Sequence, residues 1–286
     1  MADGHSIITA YCGEPPLPSA IWHRWNLDPV LIVALVLLLF FYLAGAARGE
    51  RAGGTFRSER VFFIFGWTVV TAGLISPLCP LSVSLFSARV GQHMLFVLIG
   101  APLVAAGRPG VAMTMLLRRA SALEPRALQP RSRLSHHGML PATGAFAAVL
   151  WFWHAPAPYA ATFVGPWIYW LMHISVFGAA LFLWTRLLDP APSRALAAVA
   201  GGLLTTMQMG LLGAVITLAP RPLYAPHALT TAAWGLTPLQ DQQLGGAIMW
   251  VPGCVIFLMV AIITLRRAIT AADAGHAAPP LELARR

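Results

Sequence analysis

Long apolar runs alternate with short polar, arginine-bearing segments along most of the chain. A hydrocarbon core about 30 Å thick takes roughly 20 residues of helix. Seven runs approach or exceed that length: 27–47, 60–78, 85–106, 138–155, 166–188, 195–219 and 241–265. The first and last are the clearest; the fourth is short and ends in WFWHAPAP, which puts its outer end at the interface. The pattern predicts an all-α integral membrane protein, with a bundle of seven transmembrane helices over residues 27–267. Residues 1–26 read as an extracytoplasmic N-terminal segment, and the Ala-rich, polar residues 268–286 as a disordered cytoplasmic tail.

Composition agrees. Only 10% of the 286 residues are charged and 58% are hydrophobic, against about 25% charged in soluble domains. The net charge is +9, and all 19 basic residues are arginine. A basic chain can signal nucleic acid, but these arginines sit in loops between spans, where a topology signal belongs. Sixteen lie in segments 48–60, 107–137, 186–194 and after 265; Arg24 and Arg221 lie on the opposite side, and Arg89 near the outer start of the third span. The excess of arginine inside predicts an N-terminus outside and a C-terminus inside a cell inner (plasma) membrane. The N-terminus has neither a basic n-region nor a long apolar h-region, so no cleavable signal peptide is expected. Trp22, Trp25, Trp151, Trp153, Trp167, Trp170 and Trp234 fall near outer ends and read as an interfacial belt. Segment 110–120 is amphipathic and suits the inner surface.

Depth then separates the histidines. His93 lies about 12 Å into the third span and His173 about 10 Å into the fifth, at 1.5 Å per residue. His154 ends the fourth span on the same side, and His227 sits in an outer loop, whereas His136 and His137 belong to the inner loop. Met94 and Met172 adjoin two of these histidines; Met207 and Met209 lie in the outward half of the sixth span, and Met249 about 12 Å into the seventh. Imidazole with thioether suits copper, the thioether selecting Cu(I). A lone intramembrane histidine is often an interhelical hydrogen-bond partner; three at one depth favour a functional site. The expected metal ligands are His93, His154, His173 and Met249, with Met94, Met172, Met209, His227, Asp241, Gln242, Gln243 and Arg89 as further candidates. Arg89, one turn outward of His93, either snorkels to the interface or repels a cation from that side. Cys12 and Cys79 are both outside and are either disulfide-bonded or free; Cys254 reads as packing. Gly245 and Gly246 permit close helix approach, and Pro102 and Pro252 predict kinks.

The stretches LFSARVGQHMLFVLIGAPLVAAGRP, WFWHAPAPY, LMHISVFGAALFLW, LAPRPLYAPH and DQQLGGAIMWVPG occur in that order over residues 80–255. Together they resemble successive blocks of the multi-spanning CtaG family, linked to assembly of cytochrome c oxidase. The resemblance implies a seven-span assembly factor serving the copper centres of the oxidase, partnered by oxidase subunits and other copper chaperones. It also implies a polar core of His93, His154, His173, Asp241, Gln242, Gln243 and Met249. Family members often carry a histidine four residues before the one matching His93; here that residue is Arg89.

The leading expectation is therefore a copper-handling assembly factor. Its alternative is a b-type haem protein with span histidines as axial ligands; a transporter ranks last, because the inner halves of the spans are almost free of polar residues. No nucleophile–base pair or paired carboxylate is evident, so no enzyme activity is expected.

Overall fold

The structure, a computed structural model, describes residues 10–117, 138–188 and 192–277. His136 and His137 lie outside the described residues. Within them every regular element is helical: α1 Pro29–Arg51, α2 Arg57–Ile75, α3 Leu78–Ser84, α4 Phe86–Met94, α5 Ala101–Ala106, α6 Pro109–Leu117, α7 Met139–His154, α8 Pro156–Ala161, α9 Pro166–Leu187, α10 Ala195–Leu218 and α11 Pro238–Ala277. A π-helical turn, Leu95–Gly100, joins α4 to α5.

Six helical stretches are long and apolar enough to cross a membrane: α1, α2, Phe86–Ala106, α9, α10 and Pro238–Asp273. The predicted fourth span appears as α7, whose 16 residues extend about 24 Å. It ends at Ala155–Pro156, because the residue before a proline favours extended backbone, and Ala155 sits at φ −67°, ψ 138°. The last helix continues to Ala277, into the segment read from sequence as tail. Alanine is the best intrinsic helix former, and ITAADAGHA carries four alanines and no proline.

Sequence explains the elements. Asp28 caps α1 by accepting from the Val30 amide at 2.8 Å, with Pro29 at the first helical position. Pro102 cannot donate an amide proton to the fourth carbonyl back, and its ring crowds that carbonyl. The chain widens there into the π turn, in which the Ala101 amide reaches the Phe96 carbonyl. The freed Val97 carbonyl accepts from Trp184 Nε1 at 2.7 Å. The predicted kink is thus met by a local change of helical pitch.

The main core gathers α4, α7, α9, α10 and α11 around Phe86, Phe146, Tyr169, Met172, Met209 and Met249. α1, α2 and α6 pack at its flank on two smaller clusters, centred on Tyr42 with Phe63 and on Leu31 with Phe96. Trp22, Trp25 and Trp167 are exposed as a belt requires, Trp167 at 86%. Trp153 is a correction: it is buried, and its Nε1 donates to Ser175 Oγ at 2.9 Å, so it serves the α7–α9 contact.

α10 and α11 share the most extensive helix–helix interface. A methyl group on Gly246 would stand 2.2 Å from Thr217 Oγ1, 2.8 Å from the Thr217 amide nitrogen and 3.0 Å from the Gly213 carbonyl. Backbone atoms cannot rotate away, so the two helices would have to separate. Overpacking of this kind costs about 1–3 kcal/mol. Gly246→Ala should lower the thermal midpoint of the detergent-purified protein by several degrees, at roughly 2–4 °C per kcal/mol. An unchanged midpoint would refute the close approach.

Candidate functional site

Asp241, at the start of α11, sets α4 in place. Its buried carboxylate accepts from the Phe86 amide at 2.7 Å, the Ser87 amide at 3.1 Å and the Ser87 hydroxyl at 2.5 Å. It thereby caps α4 from another helix, and the N-terminal end of a helix favours negative charge. Gly245, one turn on, lets the helices touch: a methyl there would lie 2.4 Å from the Phe86 ring. Gln242 ties down the 219–224 turn. Its Oε1 accepts from the Leu223 amide at 2.6 Å, and its Nε2 donates to the Ile216 carbonyl at 3.1 Å. Gln243 is half-buried beside them. Asp241 and Gln242, two of the family-implied polar residues, thus position helices and a turn.

α4 and α9 then bring His93 and His173 together, with ring centroids 5.1 Å apart and planes at 74°. Both are buried. His173 Nδ1 lies 3.0 Å from the Tyr169 carbonyl, one turn back on α9. Only a protonated Nδ1 makes that bond, which leaves the lone pair on Nε2. Nε2 of His173 and Nε2 of His93 are both shielded and without a partner. His154 repeats the arrangement, its Nδ1 2.7 Å from the Leu150 carbonyl. No ring contact joins it to either of the others among the described residues. The structure thus brings two of the three span histidines, His93 and His173, into contact.

The methionines divide. Met94, Met172, Met209 and Met249 are buried in the main core. Met209 packs on Gly253, where a methyl group would meet its terminal carbon at 2.6 Å. Met249 follows Gly245 by one turn, on the face toward α4. Met207 is 73% exposed and points outward, so its depth had suggested a role its rotation denies. Among the described residues, no three His, Cys, Asp or Glu side chains converge as a metal cluster.

Arg89 does not snorkel. It is 2% exposed. Its guanidinium carbon lies 4.3 Å from the Phe163 ring centroid, 5.3 Å from Tyr159 and 5.7 Å from Tyr169. The turn after α8 supplies the Phe163 ring, α8 that of Tyr159 and α9 that of Tyr169.

Several contributors were missed. Gln92 is fully buried and donates to the Gly73 carbonyl at 2.7 Å; a glutamine inside an apolar run is a signal that could have found it. Cys12 and Cys79 form a disulfide. It draws residues 10–16 across the end of the bundle where α4 and α9 begin, and Tyr11 stacks there on Tyr169 at 4.8 Å. The Pro16 carbonyl accepts there from Ser84 Oγ at 3.1 Å. Nothing in the sequence marks this strap beyond the two cysteines.

His227, from the loop between α10 and α11, has its Nε2 2.6 Å from the Tyr159 hydroxyl oxygen. Burial first, and Arg89 second, push its pKa down to about 3 against the opposing pull of the Ser84 and Val83 carbonyls. The unfolded histidine titrates near 6.5. Below that pH the unfolded chain takes a proton that the folded site refuses, so stability falls as pH drops from about 6.5 toward 3, by up to about 1.4 kcal/mol per unit. Thermal midpoints measured from pH 7 to 4 should decline, and His227→Asn should flatten the slope; equal slopes would sink this account.

Residues 40–271 match the sequence model of the family described as cytochrome c oxidase caa3 assembly factor (Caa3_CtaG). That match spans most of the chain, which therefore belongs to this family. Comparison with curated proteins and with solved structures gave no match.

Proposed function

We propose that this caa3 assembly factor family member handles copper for the oxidase at the outer face of the membrane, with His93 and His173 as its central ligands. One observation carries the reading: two buried imidazoles in contact, each with an unpartnered Nε2. The Tyr169 carbonyl fixes His173 in the tautomer that a metal ligand needs, as outer-shell partners of metal-bound histidines do. His154, held the same way, and Met249, level with the turn of α4 before His93, are the supporting ligands in this reading. Copper here is cargo, passed between chaperones and oxidase subunits, and the protein is not an enzyme.

The same reading takes α7 as a seventh, shorter span and puts the N-terminus outside the plasma membrane. The arginine distribution supports that topology. So does the disulfide, which lies on the face away from the arginine-rich loops, where an oxidising compartment would form it. Spacing favours copper over haem. The two rings are in contact, which leaves no room for a porphyrin plane between them, whereas a single small ion would need only their two Nε2 atoms.

The test is His93→Leu and His173→Leu in a deletion strain, reading membrane abundance, oxidase activity and copper bound after gentle purification. A ligand role predicts near-normal abundance with oxidase activity and bound copper both reduced at least tenfold. Normal activity at normal abundance would leave the pair as interhelical packing.

A further inference from the structure

A charge that is almost fully buried needs a counter-charge or a strong substitute. Arg89 makes no ion pair among the described residues. The adjacent carboxylate, Asp241, is committed to Phe86 and Ser87. Three aromatic rings attract the guanidinium through their faces. Ring faces offset the charge without accepting hydrogen bonds as oxygen does, and the Tyr159 hydroxyl takes only part of the guanidinium's donor capacity. Arg89 Nε and Nη1 remain shielded and without an acceptor, as does His93 Nε2 one turn away. Buried donors in native proteins are normally satisfied, so such a group calls for an unaccounted partner.

We infer that Arg89 anchors a buried binding site for a small carboxylate, of the size of formate or acetate. The chemistry is specific. A guanidinium presents in-plane N–H donors that match carboxylate oxygens. His173 carries its proton on Nδ1 and so offers only a lone pair, whereas His93 can donate from Nε2. In the metal-free protein a carboxylate can accept from Arg89 with one oxygen and from His93 Nε2 with the other; copper on that nitrogen would displace the second contact. The ligand is a free small molecule, because the strap closes this end: Tyr11 lies on Tyr169, whose ring in turn lies 4.1 Å from that of His173. The inference goes beyond copper handling and does not rest on it. A bound carboxylate would also cancel the positive charge nearest the histidine pair.

The test uses metal-free protein in detergent, at constant ionic strength made up with sulfate. The thermal midpoint is followed against sodium formate and, separately, sodium chloride. The expected result is a saturable rise of a few degrees with formate and none with chloride over the same range. Arg89→Gln should abolish the rise, and Arg89→Lys should raise the half-saturating concentration at least tenfold. An equal rise in Arg89→Gln would overturn the site, and so would no saturable rise in the wild type. An equal response to chloride would make it a halide site and overturn the carboxylate. If Arg89→Gln fails to fold, line broadening of ¹³C-formate by wild type and by Arg89→Lys decides between the same outcomes. A saturable rise with an acidic peptide and none with formate or acetate would likewise reject the free small molecule.

Discussion

Asp241→Ala should remove most of the protein from the membrane. The Asp241 carboxylate is fully buried and accepts three hydrogen bonds, two of them from backbone amides at the first turn of α4. Alanine would leave those donors without an acceptor, at about 1–3 kcal/mol each. It would also remove negative charge from a helix N-terminus, worth up to about 2 kcal/mol in buried geometry. Breaking such a network commonly costs several kcal/mol, a large share of the 5–15 kcal/mol that separates folded from unfolded proteins. The residue carries no ligand in this account, so loss of function should follow loss of protein. Immunoblots of membrane fractions should show Asp241→Ala depleted at least fivefold and Asp241→Asn, which keeps one acceptor oxygen, in between. Wild-type abundance in Asp241→Ala would mean that α4 does not depend on this cap.

Much of this arrangement was legible in the sequence, and the reason differs from part to part. Apolar length alone marks α1 and α11, because lipid demands it. Depth was equally readable: residue count from the outer end placed His93 and His173 in one layer, and their rings do touch. Rotation was not readable, since a helix apolar on all sides has no face to declare. Met207 and Met209, two residues apart, therefore looked alike although one is exposed and the other buried. Arg89 was misjudged for a related reason. Snorkelling assumes open lipid above the side chain, whereas Tyr159 and Phe163 close over it from α8 and the turn after it, whose path depends on Pro156. The widened turn after Met94 was foreseen only as a kink at Pro102. The choice of a π turn depends on a distant partner, Trp184, taking the freed carbonyl.

Replacing both Cys12 and Cys79 with serine should lower the thermal midpoint by about 10 °C and free the N-terminal strap. The bond joins residues 67 positions apart, and a loop of that length is worth about 4 kcal/mol on the chain-entropy account. At roughly 2–4 °C per kcal/mol for a chain of this size, the shift follows. The strap has few other ties. Tyr11 donates to Asp28 and stacks on Tyr169, and the Pro16 carbonyl accepts from Ser84. Several of its other residues are exposed. Once the bond is lost, ordering residues 10–28 costs about 1–2 kcal/mol of backbone entropy per residue, which these contacts offset poorly. Arg24 supplies the reporter, since it is the lone basic residue before Arg48 and the chain has no lysine. Trypsin added to oxidised wild-type protein should cut slowly after Arg24. The double serine variant, and wild type treated with a dithiol, should be cut several-fold faster, while Cys254→Ser behaves as wild type. Equal midpoints and equal cleavage rates would show that α3 and the α9 aromatics hold the strap without the disulfide. Faster cleavage with an unchanged midpoint would place the strap outside the cooperative unit, so that the bond guards the histidine pair and adds nothing to the stability of the bundle beneath it.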